Sequence, residues 1–157
     1  MKEISLRKAK LDDFEMYKTL YEDDEAQFIY SNHDEDSDES YKNTLYNLGI
    51  DEKLLSKEDV EKDYKNNLKN IYFVYVNQVL SGYIKTEKKG KELIIRDMAI
   101  RDYSITNEVY LCKLFNILFK TSKTEKICIF FCNDTNAKML QRIGFVRKGH
   151  LEKTVGI

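Results

Sequence analysis

The spacing of apolar residues predicts a strand followed by two helices in the first half of the chain. Apolar and polar residues alternate around Ile4 and Leu6, which is typical of a half-buried strand. Apolar residues then recur at helical spacing over 14–21 and over 60–68, and between these stretches the pattern loosens into an acidic segment. Two capping pairs precede the helical stretches, Asp12 with Glu15 and Ser56 with Asp59.

The second half of the chain predicts strands around one buried helix. Three segments rich in β-branched and aromatic residues, separated by turn residues, indicate consecutive antiparallel strands. A stretch that is apolar on nearly all sides then predicts a helix buried against the sheet. An unbroken apolar run predicts a strand covered on both faces, and a short helix that ends at Gly144 leads into a last strand region from Phe145. The ranges are 71–76, 79–86 and 92–100 for the three strands, 107–120 for the buried helix, 127–131 for the covered strand and 134–143 for the short helix.

This order of elements predicts one α+β (mixed α/β) domain over residues 1–157. The order is β-α-α-β-β-β-α-β-α-β, and no internal repeat or linker divides the chain. A chain of 157 residues is long enough for one sizeable core and too short for two ordinary domains.

Composition and charge narrow the class of protein. Hydrophobic residues make up 42% of the chain and charged residues 34%, which is a globular balance. The net charge of −1 provides no basic surplus for binding nucleic acid. No apolar run approaches the roughly 20 residues of a membrane span, and the first residues lack the apolar stretch of a signal peptide. We therefore expect a cytoplasmic protein that binds neither nucleic acid nor membrane.

The cysteines and histidines predict no disulfide and no metal site. Cys128 and Cys132 would lie about 13 Å apart on one strand at ~3.3 Å per residue, whereas a disulfide needs Cα atoms within about 7 Å. The third cysteine is Cys112, and the spacing of the three cysteines does not resemble a zinc site. His33 and His150 are 117 positions apart and have no nucleophile motif around them. We therefore expect reduced thiols and no bound metal.

A motif begins where the covered strand ends. Asn133 ends the strand, a short helix follows, Arg142 stands two positions before the glycine, and Gly144-Phe145 close the helix. This segment resembles the acetyl-CoA-binding helix of the GNAT superfamily of N-acetyltransferases, and the order of elements matches that family over nearly the whole chain. The resemblance implies a mostly antiparallel sheet with helices on both faces, with acetyl-CoA as co-substrate. In this motif it implies cofactor contacts at Asn133, Asn136, Met139 and Leu140.

The resemblance places two further parts of the acetyl-CoA site around the third strand of the central trio. The pantetheine arm would align along the backbone of Met98, Ala99 and Ile100 as an extra strand. The pyrophosphate would bind backbone N–H groups at the start of the next helix, where family members keep glycines so that the chain can approach the anion. The matching positions here are Ser104, Ile105, Thr106, Asn107, Glu108 and Val109, without either glycine. We expect Asn107 to keep the turn in a left-handed conformation, and Glu108 and Val109 to weaken binding.

Two catalytic positions depart from the family. The tyrosine that can protonate the released thiolate is replaced by Leu140, which has no proton to donate. The acceptor amine must lose a proton before it attacks, and Asp97 is our candidate for the base. Ile94 stands where other members have a glutamate. The alternative for Asp97 is a solvated or ion-paired strand carboxylate.

The resemblance implies acetyl transfer from acetyl-CoA to a primary amine of a small molecule or a protein. An acidic run favours a cationic acceptor, or is a solvated loop. Its residues are Asp34, Glu35, Asp36, Asp38 and Glu39. It begins like a calcium loop, but Glu39 replaces the required glycine. The missing glycines and Leu140 leave a second hypothesis open, a GNAT-fold binding or regulatory module without catalysis.

The segment after Phe145 predicts an incomplete end to the sheet. The family closes its sheet with two strands, and twelve residues follow Phe145 here. We predict a shortened hairpin across Lys148-Gly149, or a missing final strand. An exposed strand edge favours pairing with another chain, so we expect that the protein is able to form a homodimer.

Overall fold

The computed structural model describes residues 1–23, 27–28, 57–130, 134–148 and 150–156. Within this part of the chain one sheet contains eight strands, and α-helices pack on both of its faces. The strands are β1 (Ile4–Lys8), β2 (Gln27–Phe28), β3 (Ile71–Val76), β4 (Val79–Lys89), β5 (Glu92–Ile100), β6 (Lys126–Ile129), β7 (Val146–Arg147) and β8 (Leu151–Thr154). The α-helices are α1 (Phe14–Tyr21), α2 (Lys57–Asn66), α3 (Glu108–Ser122) and α4 (Asp134–Arg142).

The sheet is mostly antiparallel, as predicted. Its order is β1-β3-β4-β5-β6-β8-β7, and β2 pairs with β5 off this path. The predicted trio of consecutive antiparallel strands is confirmed as β3, β4 and β5. The first turn of the trio consists of Asn77 and Gln78, which both have positive φ angles, 49° and 67°. Such a two-residue turn matches the twist of the strands that it joins.

Two cores lie on opposite faces of the sheet. On one face, α3 packs through buried residues such as Leu111, Leu114 and Phe115, which confirms the predicted buried helix. On the other face, α1 and α2 pack through Tyr17 and Tyr64, both almost fully buried. None of the described helices has an apolar stretch long enough to cross a bilayer.

The predicted helix starts are only partly correct. Helix α1 begins at Phe14 after a 3-10 turn, Leu11–Asp13, and Asp12 does not cap it. Instead, the backbone N–H of Lys10 donates a hydrogen bond to the Asp13 carboxylate at 3.3 Å, and this bond spans the 3-10 turn that precedes the helix. The second predicted capping pair includes Ser56, which lies outside the described residues.

The shortened hairpin at the end of the sheet is confirmed. Strand β7 has two residues and β8 has four, and β8 lies between β6 and β7. The two strands are joined by a turn in which the Lys148 N–H donates to the His150 carbonyl at 2.7 Å. Helix α4 ends before Gly144, whose φ of 108° is favourable only for glycine. Homodimer formation through the β7 edge stays a prediction.

Candidate functional site

Strands β5 and β6 are parallel neighbours that separate partway along β5. Their register ends at the pair Ile94↔Cys128. Strand β5 continues to Ile100, and on this edge β2 pairs with it only at Ala99 and Ile100. Within the described residues, positions 95–98 therefore have no strand partner on this side. We refer to these four positions as the open edge of β5.

A β-bulge lies within the open edge of β5. Lys85 of β4 pairs with Asp97 and Thr86 pairs with Ile95, so Arg96 is an extra residue. A bulge changes which side chains face each side of a sheet and bends the strand, and bulges are frequent beside active sites. Here Ile95 and Met98 both reach the core below α3, and Asp97 faces the side of α1 and α2.

Asp97 lies among tyrosines on that side. The Tyr83 hydroxyl donates a hydrogen bond to Asp97 Oδ2 at 2.5 Å. The Tyr17 ring lies 4.7 Å from the Tyr83 ring and 5.9 Å from the Tyr21 ring, measured between centroids. We call Tyr17, Tyr21, Tyr83 and Asp97 the phenol cluster.

Two phenols of this cluster, those of Tyr17 and Tyr21, are held in the protonated form. Burial, followed by the negative charges of Asp97 and Asp63, raises the pKa of Tyr17 well above its usual value. The same causes raise the pKa of Tyr21. At neutral pH these hydroxyl groups are therefore hydrogen-bond donors.

Two cations near Asp97 are bound to other carboxylates. Lys85, the cross-strand partner of Asp97, pairs with Asp63 of α2. Arg96 donates from Nε to Glu87 at 2.8 Å, and this hydrogen bond lowers the pKa of Glu87. The negative carboxylates Asp63 and Glu87 thus hold the basic side chains that β4 and β5 bring to this face.

The backbone of β5 directs polar groups to the open edge. The Arg101 N–H donates to the Ser81 carbonyl of the β4 side at 2.6 Å. Along an antiparallel strand, the backbone N–H and C=O groups of successive residues point alternately to one side and the other. The N–H and C=O of Met98 and Ile100 therefore point away from β4. The side chains of Met98, Ala99 and Ile100 are fully buried, so only their backbone is available to a ligand.

Strand β2 changes the prediction for the pantetheine arm in one respect. Gln27 lies opposite Ile100 on this same edge. A ligand strand along β5 therefore has an open place beside Met98, whereas beside Ile100 it would have to replace β2.

The turn between β5 and α3 differs from the prediction at Asn107. Its φ of −135° and ψ of 171° are extended, so the predicted left-handed conformation is wrong. Asn107 is instead the N-cap of α3, since its Oδ1 accepts the N–H of Tyr110 at 3.1 Å, and its Nδ2 donates to the Ser104 carbonyl at 2.8 Å. Extended backbone is the usual N-cap conformation, and no glycine is required there.

The other predicted pyrophosphate positions differ widely in exposure. Ile105 is fully buried in the core below α3, so its side chain is structural, whereas Val109 is 62% exposed. Thr106 Oγ1 donates to the Tyr103 carbonyl at 2.8 Å. The Ser104 N–H donates to Asp102 at 3.0 Å, and hydrogen bonds from Ser104, with the nearby charge of Lys2, lower the pKa of Asp102.

The start of α3 combines an anion-binding feature with a negative side chain. The N–H groups of Glu108 and Val109 are the first in the helix and have no acceptor within it. The Glu108 carboxylate binds Arg142 of α4 at 3.0 Å. Two backbone donors and one arginine therefore meet here, and Glu108 holds the arginine.

Helix α4 contributes mainly to the core. Leu140 is fully buried and Asn136 nearly so, while Met139 is partly buried against the core below α3. The Leu140 side chain packs into the core, and this burial does not support the predicted contact with a cofactor. Asn133 lies outside the described residues.

The three tyrosines of the phenol cluster were not predicted from the sequence. The cluster's members come from α1, β4 and β5, and no spacing along the chain connects them. Arg96 and Asp97 are adjacent charged residues within an otherwise apolar strand, which marks an irregularity there but does not identify an extra residue.

This mostly antiparallel sheet, with one diverging parallel pair and helices on both faces, matches the fold of the GNAT acetyltransferases. A GNAT-family acetyltransferase from Bacillus anthracis aligns at a TM-score of 0.55 and 17% identity, over 97% of this chain and 93% of that chain. The aminoglycoside acetyltransferase AAC(6')-Ib, in complex with paromomycin and acetyl-CoA, aligns at 0.62 and 15%, over 98% and 94%. A spermidine N-acetyltransferase chimera with sequence from Vibrio cholerae aligns at 0.59 and 11%, over 97% and 95%. No protein-family model and no curated protein sequence matches the chain.

Proposed function

We propose that the protein transfers an acetyl group from acetyl-CoA to a primary amine, with Asp97 as the base. The observation that carries this proposal is the bulge at Arg96, which sets Asp97 beside the open edge of β5. In the GNAT fold, acetyl-CoA is bound by the aminoglycoside acetyltransferase that this chain resembles in structure.

The residues present fit acetyl-CoA in two places. The Met98 backbone offers a donor and an acceptor at the open edge, as an extended amide-containing arm requires. The first N–H groups of α3, together with Arg142, suit a diphosphate. The misfit is the Glu108 carboxylate, which we expect to lower affinity.

The chain's own groups account for proton movement at the acceptor. When bound, acetyl-CoA supplies a thioester whose carbonyl carbon accepts the nucleophile. Asp97 takes one proton from the ammonium group of the acceptor, so that the nitrogen has a lone pair for attack. The Tyr83 hydroxyl fixes the orientation of the Asp97 carboxylate. When the tetrahedral adduct collapses, the nitrogen loses its second proton to solvent and the C–S bond breaks, and the released thiolate takes a proton from solvent, because Leu140 has none to donate.

The phenol cluster favours a cationic acceptor. The Asp97 carboxylate attracts an ammonium group, and tyrosine faces such as that of Tyr21 bind cations. The similar structures include enzymes for an aminoglycoside and for spermidine, both amines. The acidic run with Asp34 lies outside the described residues.

The test is release of free thiol from acetyl-CoA with a panel of polyamines, aminoglycosides and lysine peptides. Asp97→Asn should lower kcat/KM by about 10²–10⁴-fold, the usual contribution of a positioned base, with unchanged CoA affinity. Asp12→Asn, at an exposed carboxylate of the 3-10 turn, is the matched control and should leave the rate unchanged. Unchanged activity in a folded Asp97→Asn variant would rule out Asp97 as the base.

A second function is a GNAT-fold module that binds CoA and does not catalyse transfer. The observation that favours it is the buried Leu140, together with Glu108 at the start of α3. A raised melting temperature with acetyl-CoA, without thiol release on any acceptor, would identify this function. Ligand at about 100 times its Kd adds about 2.7 kcal/mol of stability.

A further inference from the structure

Four side chains with metal-binding atoms meet where β5, β6 and β8 lie side by side. Cys128 pairs across strands with Glu152, and its sulfur lies 3.0 Å from Oε1 of Glu92. The ligand atoms of Cys128, His150 and Glu152 all lie within 4.8 Å of one another. Of these, His150 Nε2 is 3.9 Å from Glu152 Oε2. These four residues are the strand-end cluster.

The strand-end cluster is poorly suited to nucleophilic catalysis. Cys128 is fully buried, and its thiol donates to Glu92. A nucleophilic cysteine needs access to a substrate, and this buried thiol has none.

We propose that the strand-end cluster binds one Zn²⁺ ion, with Cys128, His150 and Glu152 as its protein ligands and water in the fourth position. Thiolate sulfur, imidazole nitrogen and carboxylate oxygen are the atoms that zinc takes in proteins, in a tetrahedron of four. The site does not depend on acetyl transfer, since none of its members belongs to the phenol cluster or to the start of α3.

The distances suit a small adjustment on binding. Zinc bonds of about 2.0–2.3 Å at tetrahedral angles place neighbouring ligand atoms about 3.3–3.8 Å apart. The His150–Glu152 distance is 3.9 Å, and no two of the three ligand atoms are more than 4.8 Å apart, so the ligands have to approach one another by about 1 Å at most. On binding, the Cys128 S–H proton leaves to solvent and a sulfur–zinc bond forms, without change of oxidation state.

Neighbouring residues hold the ligands and tune affinity. The His150 ring stacks on Phe130 with 4.8 Å between centroids, which fixes its orientation. Lys126 Nζ lies 3.1 Å from Glu152 Oε2, and Lys148 Nζ lies 3.2 Å from Oε1. These lysines neutralise Glu152 in the metal-free protein and compete with a metal ion. Removing the Lys126 charge should therefore strengthen metal binding.

The first experiment titrates the full chain with Co²⁺ as a spectroscopic substitute for zinc, without acetyl-CoA. We expect one equivalent to give tetrahedral visible bands and a thiolate-to-cobalt charge-transfer band. Cys128→Ser should abolish the charge-transfer band, and Cys112→Ser and Cys132→Ser should keep it. A band that survives in Cys128→Ser, or is lost in Cys132→Ser alone, would overturn the assignment, as would no cobalt binding.

The second experiment measures Zn²⁺ affinity by competition with a chromophoric chelator. His150→Ala should weaken binding at least tenfold, and Lys126→Gln should strengthen it severalfold. Thermal unfolding of each variant checks that it is folded. The two variants are expected to change Zn²⁺ affinity in opposite directions, which distinguishes loss of a ligand from partial unfolding. Weaker Zn²⁺ binding by a folded Lys126→Gln variant would contradict the proposal.

Discussion

Glu108 places a negative charge at the start of α3, whose first backbone N–H groups suit a diphosphate. Glu108→Gln should raise CoA affinity, because it removes repulsion and releases Arg142 for a phosphate. We expect a gain on the order of 1 kcal/mol, measured by calorimetry. The change removes a favourable interaction with the helix dipole, so stability should fall by about 0.3–1 kcal/mol.

Glu125→Gln is the matched control for Glu108→Gln. Glu125 is an exposed carboxylate that pairs with Lys91, at the other end of α3. Its removal should leave CoA affinity unchanged. Equal effects of the two variants would show that overall charge, and not the position of Glu108, sets the affinity.

Leu140 is a core residue, so restoring the family's tyrosine at this position should fail. Leu140→Tyr inserts a larger polar ring into a fully buried site. We expect a loss of about 1–3 kcal/mol in the free energy of unfolding, measured with denaturant, and no gain in kcat. Leu140→Met, which nearly conserves volume, should cost less than about 1.5 kcal/mol. A stable and faster Leu140→Tyr variant would place this side chain beside the thiol.

At the residue scale, sequence identified isolated chemistry and missed side chains that act together. Asp97 was predicted as the base because the resemblance implies a carboxylate near this strand, and its role stays a prediction. Tyr83, which donates to Asp97, and Tyr17, whose ring lies against that of Tyr83, were not predicted, since they come from separate elements. Asparagine is common both in left-handed turns and at helix N-caps, so the sequence could not distinguish the two at Asn107. The hydrogen bond from the Tyr110 N–H to its side chain shows that it is an N-cap.

The bulge gives a prediction at the scale of one strand. Deleting Arg96 should leave Ile95 and Asp97 on their present faces, because regular pleating without the extra residue gives that alternation. The deletion should straighten β5 and close the open edge. We expect a folded protein with at least tenfold lower CoA affinity, measured by calorimetry.

Arg96→Ala is the control for the deletion. It removes the ion pair with Glu87 and keeps the number of residues in β5. A partly exposed ion pair contributes only about 0–1 kcal/mol to stability. Because the bulge is kept, the CoA affinity of this variant should stay near that of the native protein. If both variants lose affinity equally, the side chain matters and the bulge does not.

Elements with a strong local pattern were predicted, and features that depend on pairing were not. The strands β3 to β5 and the helix α3 follow from periodicity and turns. The extra residue at Arg96 has no local signature of its own, because a bulge exists only relative to β4. Strand β2 is two residues long and arises from its pairing with β5.

The stability of the whole molecule should fall at alkaline pH. Burial, and then the charge of Asp13, raises the pKa of Tyr64 to about 12 from a usual value near 10. Because the pKa is raised on folding, the contribution of protonated Tyr64 to the free energy of unfolding is complete below about pH 10 and is lost as pH rises towards 12. Denaturant unfolding should show a decline across this window that is shallower in Tyr64→Phe.

The same variant has a second effect at neutral pH. The Tyr64 hydroxyl donates to the Lys10 carbonyl at 2.5 Å, so its loss should cost about 1 kcal/mol at pH 8. Tyr103→Phe, at a tyrosine that is 54% exposed, is the control and should leave both values unchanged. An identical alkaline decline in Tyr64→Phe and the native protein would assign the effect to other groups.

For the whole molecule, sequence predicted the fold class and the shortened hairpin. It could not predict the strand-end cluster, because Glu92, Cys128 and Glu152 come together only when three strands align. Cysteine spacing alone argued against a metal, since only one ligand of the cluster is a cysteine.

The position of β8 has a consequence for synthesis of the chain. Among the described strands β8 is made last, yet it lies inside the sheet, between β6 and β7. Until residue 154 has left the ribosome, β6 keeps an unpaired side, and such edges recruit other strands. The sheet therefore closes only after β8 has left the ribosome, and until then crowding on polysomes exposes β6 to neighbouring nascent chains. Slow codons before β8 would lengthen that interval, and a chaperone that covers β6 would shorten the exposure.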